Sequence, residues 1–137
     1  MSLFSVLSTA GSALNAQTVR LNVTASNIAN ANNLSTDEEG AYKAQRPVFE
    51  SMVNPSDENA HATGVFVKGI VESEAPLPRQ YRPDHPLADA QGYVLASNVN
   101  PVEEMADMIS ASRSYQNSVE VMNTTKEMLL RTLNLGR

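Results

Sequence analysis

Near the start of the chain, Leu3, Leu7, Ala10, Leu14, Gln17, Leu21, Thr24 and Ile28 recur in alternating steps of four and three. Leu7, Leu14, Leu21 and Ile28 thereby share one heptad line, the spacing of a coiled-coil seam. Serine, threonine, asparagine and glutamine fill the positions between them, where Glu/Lys pairs would be needed to hold a lone helix. The pattern predicts a helix over 1–33 that is weak without a neighbour.

The other end repeats the theme with a stronger start. Asn100 is placed to cap, Pro101 to occupy the first helical position, and Glu103 and Glu104 to face the positive end of the helix dipole. From there Met105, Met108, Ser112, Tyr115, Val119, Met122, Lys126, Leu129 and Leu133 again alternate by three and four. Gly136 follows as a C-cap candidate, so the helix predicted within 98–137 runs about 35 residues, or roughly 50 Å. Ile109, Val121 and Leu130 lie off its main line and widen the stripe enough for more than one neighbour.

Between the two helical ends, the segments 42–52 and 64–72 are rich in Val, Phe and Tyr and bounded by turn formers, which predicts a pair of strands. Pro76, Pro78, Pro83 and Pro86 then make the eleven residues they span largely extended, and 76–98 reads as an ordered connector or a loop. The predicted fold class is α+β, with long N- and C-terminal helices forming a coiled-coil-like pair. Its predicted division is 1–33, a small β-containing or extended middle at 34–97, and 98–137.

Composition sharpens this picture. The 137 residues are 42% hydrophobic but only 5% aromatic, so burial falls to aliphatic and small side chains spread over long contacts. Residues 1–36 carry a single charge, Arg20, and the net −5 of the chain resides in 37–97. Without a run of Lys or Arg there is no phosphate-tracking surface for nucleic acid and no polybasic membrane patch. No stretch approaches the roughly 20 apolar residues of a membrane span, so no direct membrane insertion is expected. The N-terminal 19 residues lack the basic side chain of a secretory signal.

With no cysteine, thiol catalysis, disulfide scaffolds and Cys-based zinc sites are absent. His61 and His85 stand 24 residues apart with no recurring ligand spacing. His85, between two prolines, reads as a turn or packing residue. Asp37-Glu-Glu39 reads as a solvated loop, and the three Asn-x-Ser/Thr sequons read as chance occurrences. No nucleophile and base come together and no phosphate-binding glycine loop is present, so no enzyme, cofactor or metal is expected.

Two stretches carry a family resemblance: Leu21-Asn-Val-Thr-Ala-Ser-Asn-Ile-Ala-Asn-Ala-Asn32, and Asn98-Val-Asn-Pro-Val-Glu-Glu-Met-Ala-Asp-Met-Ile109. Together they resemble the bacterial flagellar rod, hook and axial protein family. The segment Asp84-His-Pro-Leu-Ala-Asp-Ala-Gln-Gly-Tyr-Val94 and the ending Met128-Leu-Leu-Arg-Thr-Leu-Asn-Leu-Gly136 are similar to its short, proximal-rod members.

The resemblance implies a structural subunit of the basal-body rod, a helical tube that crosses the periplasm and carries torque from motor to hook. It implies partners among copies of itself and other rod subunits, and passage through the flagellar type III export apparatus. The assembly interface expected from the stripes comprises Leu3, Leu7, Leu14, Leu21 and Ile28 with Met105, Met108, Ile109, Tyr115, Val119, Met122, Leu129 and Leu133. The resemblance adds Asn22, Ser26, Asn27, Asn30 and Asn32 as a polar strip. From the residues alone, those asparagines suit a helix end held by local bonds better than an interface, and it is the resemblance that favours the interface. A reading of another class also stands at this point, a soluble helical adaptor or export chaperone binding an amphipathic client helix.

Overall fold

A computed structural model describes residues 3–53 and 62–135. It contains α1 (Leu3–Asn30), β1 (Leu34–Ser35), β2 (Gln45–Val53), β3 (Ala62–Glu72), β4 (Arg79–Tyr81), β5 (Tyr93–Ala96) and α2 (Pro101–Leu135), an α+β arrangement. His61 and Gly136, singled out in the sequence, lie outside the described residues.

The start of α2 is built as its sequence dictates. Asn100 Oδ1 accepts from the Val102 N–H at 3.1 Å, and the Asn100 carbonyl accepts the Glu104 N–H at 3.1 Å to close the first turn. At the end of α1, Asn30 donates back to the Ser26 carbonyl, and the Asn33 amide bonds to Asn30 Oδ1.

The helices pack antiparallel: Asn27 meets Glu104 while Arg20 meets Asp107, so numbers fall along α1 as they rise along α2. Their contact is lined by small residues rather than by leucine. Ala16, Val23 and Thr24 of α1 are buried, as are Ala111 and Thr125 of α2. Thr24 and Thr125 enter this seam because each hydroxyl donates to a carbonyl four residues back, of Arg20 and Val121, and needs no partner across the interface.

The sequence places the heptad leucines in the seam itself. In the structure Leu7, Leu14, Leu21 and Ile28 flank it, half-buried, because α1 serves two neighbours. One is α2, and the other is the antiparallel hairpin β2–β3, paired from Gln45↔Glu72 to Val53↔Ala62. Close to its far end, Gly64 lies against Ser12: a Cβ there would stand 2.7 Å from the Ser12 hydroxyl oxygen. That hydroxyl accepts the Val65 N–H at 3.1 Å.

Of the two alternatives for 76–98, the structure shows the ordered connector, and strand pairing is what the sequence does not predict there. The connector supplies β4 and β5, which join β1 in a three-stranded antiparallel sheet of order β1-β5-β4. The prolines limit β4 to three residues, and Gly92, at φ 80°, lets the chain turn back tightly into β5. This sheet ties the end of α1 to the start of α2, with Ser97 N–H bonded to the Asn33 carbonyl. Val94, Ala96 and Val99 form the buried cluster there.

Candidate assembly surface

Both helices are rooted in the small sheet, and α2, at 35 residues against 28, extends about 10 Å farther at 1.5 Å per residue. Along its length it carries apolar side chains that no element among the described residues covers. Near the root these are Val102 (74% exposed), Met105 and Ile109 (56%); near the far end they are Met128, Leu130 and Leu133 (69%). Spacings of three and four place Val102, Met105 and Ile109 on one face. Tyr115 is more shielded at 37%.

The expected interface residues therefore divide. Met105, Ile109, Tyr115 and Leu133 are exposed, whereas Leu3, Leu7, Leu14, Leu21, Ile28, Met108, Val119, Met122 and Leu129 are half-buried. Sequence reading passed over Val102, because it sits off the stripe in the capping turn. Met128 was likewise left out, and Leu130 was noted only as widening the stripe. A helical wheel centred on the Ala111–Thr125 seam would have recovered Val102 and Leu130 as outward positions, whereas Met128 falls on the flank of the seam.

The asparagine strip divides more sharply. Asn22 and Asn32 are exposed and Asn30 bonds within its own helix, but Asn27 is 1% exposed and fully engaged inside the chain. Its Nδ2 donates to the Gln45 carbonyl at 2.8 Å and to Glu104 Oε2 at 3.0 Å. Its Oδ1 accepts from the Gln45 N–H at 2.9 Å and from the Tyr42 hydroxyl at 3.0 Å. Two donors and two lone pairs are thus all used, leaving nothing for a neighbouring subunit. Ser26, expected beside it in the interface, lies 3.3 Å from the Tyr42 hydroxyl and supports the same internal network.

The remaining chemistry is structural. His85 accepts the Leu87 N–H through Nδ1 at 3.2 Å, shaping the turn between its prolines. Asp89 gathers the N–H groups of Gln91 and Tyr93 and pairs with Arg79 at 3.0 Å. The Tyr93 N–H is the foremost cause holding its carboxyl below the usual value. The Gln91 N–H and Arg79 add to this against an opposing effect of burial. An open recess of about 350 Å³ at Tyr42, lined also by Asn33, Lys43, Gln45 and Glu72, is too polar for a small-molecule pocket. Among the described residues, no group of three or more His, Cys, Asp or Glu side chains is placed to hold a metal. Among them, too, no helix is long and apolar enough to cross a membrane.

Comparison with known proteins agrees with the helical ends. Residues 7–33 match the family described as "Flagella basal body rod protein". Residues 90–135 match "Flagellar basal body rod FlgEFG protein C-terminal". Similar relatives include the flagellar basal-body rod protein FlgC of Escherichia coli, 48% identical over 137 residues and covering all of both chains. FlgC of Salmonella typhimurium is 47% identical with the same coverage. FlgC of Borreliella burgdorferi is 39% identical, with 93% of each chain covered. With full-length likeness at this level, the chain belongs to the FlgC family of flagellar basal-body rod proteins, structural subunits and not enzymes.

Proposed function

We propose that the chain builds the proximal rod by lateral packing of its terminal helices, which form a coiled-coil-like inner layer of a helical tube crossing the periplasm. Copies of itself and other rod subunits are the neighbours, and the tube carries torque towards the hook. The observation that carries this reading is the uncovered apolar surface of α2 at Val102, Met105, Ile109, Leu130 and Leu133.

Exposed apolar surface on this scale marks an interaction site. Patches near both ends of one helix suit contacts with more than one copy, as a heterologous, helically repeating assembly requires. The half-buried flanks at Leu3, Leu7, Leu14, Leu21, Ile28, Met108, Val119, Met122 and Leu129, with the exposed Tyr115 beside them, supply a second side of contact, with Asn22 and Asn32 as polar companions.

Passage through the flagellar type III apparatus in an unfolded state belongs to the same reading. The helix seam of alanine and threonine is thin, so much of the ordering entropy is compensated only when neighbours arrive. A chain without cysteine also escapes stray disulfides on reaching an oxidising space.

Fractionation tests the reading. A tagged full-length chain is expected to co-purify with detergent-extracted basal bodies in several copies. Recovery only as a soluble complex with a single client protein would overturn it in favour of an adaptor.

A further inference from the structure

The two stretches that carry the family resemblance sit at the ends of different helices, 71 residues apart at Asn27 and Asn98, yet both send an asparagine to one place. That place is the root of the β2–β3 hairpin. Asn27 pairs with both main-chain groups of Gln45, as a neighbouring strand would. Asn98 accepts the Ala44 N–H at 2.7 Å through Oδ1 and donates to the Ala75 carbonyl at 2.8 Å through Nδ2. Ala44 and Ser73 continue the hairpin ladder at this point, with the Ser73 N–H bonded to the Ala44 carbonyl at 2.8 Å.

We infer that Asn27 and Asn98 are positioning residues that lock the direction of the hairpin relative to the helix pair. Residues 44 and 45 are gripped through the main chain, whose groups cannot rotate away as a side chain does. Asn27 is held in turn by Glu104, which is 3% exposed in the first turn of α2, and by Tyr42. One joint therefore connects α1, α2 and the hairpin. The helix–helix seam by itself fixes no hairpin direction, because hairpin and α2 each pack on α1 and meet one another only through side chains at the root, such as the exposed Arg46–Asp107 pair.

Geometry supports a lever held at its root. From the Gln45↔Glu72 pair to Val65 is seven residues of strand, about 23 Å at 3.3 Å per residue. From Asn27 to Ser12 is fifteen residues of helix, about 22 Å at 1.5 Å per residue. The matched spans lay the hairpin along α1, so that Gly64 and Val65 arrive at Ser12. A small rotation at the joint would carry the far end off the helix.

The absence of cysteine makes this directly readable in the full chain. A Cβ at Gly64 would stand 3.3 Å from the Ser12 Cβ, near disulfide range. With Ser12→Cys and Gly64→Cys, which also removes the bond at the far end, mild oxidation in cells is expected to cross-link most of the chain. Adding Asn27→Ala and Asn98→Ala is expected to lower the yield by about fivefold or more, and Asn98→Ala alone by less. Asn27→Asp sets two carboxylates together and is expected to lower it too. Glu104→Gln in that background returns a donor and is expected to recover part of the yield, which general loss of stability would not do. Unchanged cross-linking in the alanine variants, or no recovery on adding Glu104→Gln, would overturn the inference. Cross-linking is read within one chain, so it stands apart from whether the helices assemble as proposed.

Discussion

Arg20 Nη2 lies 3.2 Å from Asp107 Oδ1, joining the lone charged residue of the first 36 to the second turn of α2. Arg46 approaches the other oxygen of the same carboxylate at 3.8 Å. Asp107 therefore sits between a cation from α1 and one from β2. These side chains are about a third to a half exposed, so the value of the cluster is more in direction and register than in stability.

Arg20→Ala is accordingly expected to cost no more than about 1 kcal/mol, and rod assembly should survive it. Arg20→Asp opposes two carboxylates and should impair assembly clearly. Adding Asp107→Arg is expected to restore only part of it, because the new cation faces Arg46. Motility on soft agar, with the chain quantified in purified basal bodies, checks all three.

Ala111 is completely buried where the helices touch. Ala111→Leu is expected to cost about 1–3 kcal/mol by overpacking, and to lower recovery in basal bodies at equal expression. Recovery equal to the parent chain would show that the helices do not approach through this line.

A carboxylate at Leu14 or Leu129 would lie on half-buried flanks of the seam. Leu14→Asp and Leu129→Asp are each expected to cost several kcal/mol once neighbours remove water from the site. Both should abolish rod incorporation while leaving expression intact, as judged by fractionation.

Asp89 gives a pH prediction. Its folded pKa lies below the unfolded one, chiefly through the Tyr93 N–H, so its stabilisation is complete above the unfolded value and is lost as pH falls through the folded value. Hydrogen exchange at Gln91 and Tyr93 should thus be flat with respect to this group around neutrality, apart from intrinsic chemistry. Protection should drop in acid below the ordinary Asp range. Asp89→Asn keeps an acceptor oxygen and should remove that acid-induced drop.

Legibility in the sequence followed the strength of local signals. The capping turn at Asn100-Pro101 marked the start of α2 to the residue, because cap chemistry is local. Strands β1, β4 and β5 span only two to four residues, too few for a period-2 pattern, and the prolines around β4 pointed to an extended connector or loop without indicating a paired strand. The leucine heptads showed that α1 has a contact face but misplaced its centre. Small residues such as Ala16 and Ala111 form the closest approach, and hydrophobicity alone does not rank them above leucine. Asn27 was legible as an important position and not as an internal one, since its partners Gln45 and Glu104 are 18 and 77 residues away.

The central claim is that the uncovered face of α2 is an interface between subunits. A side-chain-resolution structure of the isolated basal body tests it most directly. Val102, Met105, Ile109, Leu130 and Leu133 are expected to be buried against helices of neighbouring rod subunits, with the α1–α2 seam and the Asn27 joint retained within each chain. Finding those five side chains facing solvent in the assembled rod, with contacts made instead by the β2–β3 hairpin, would contradict it.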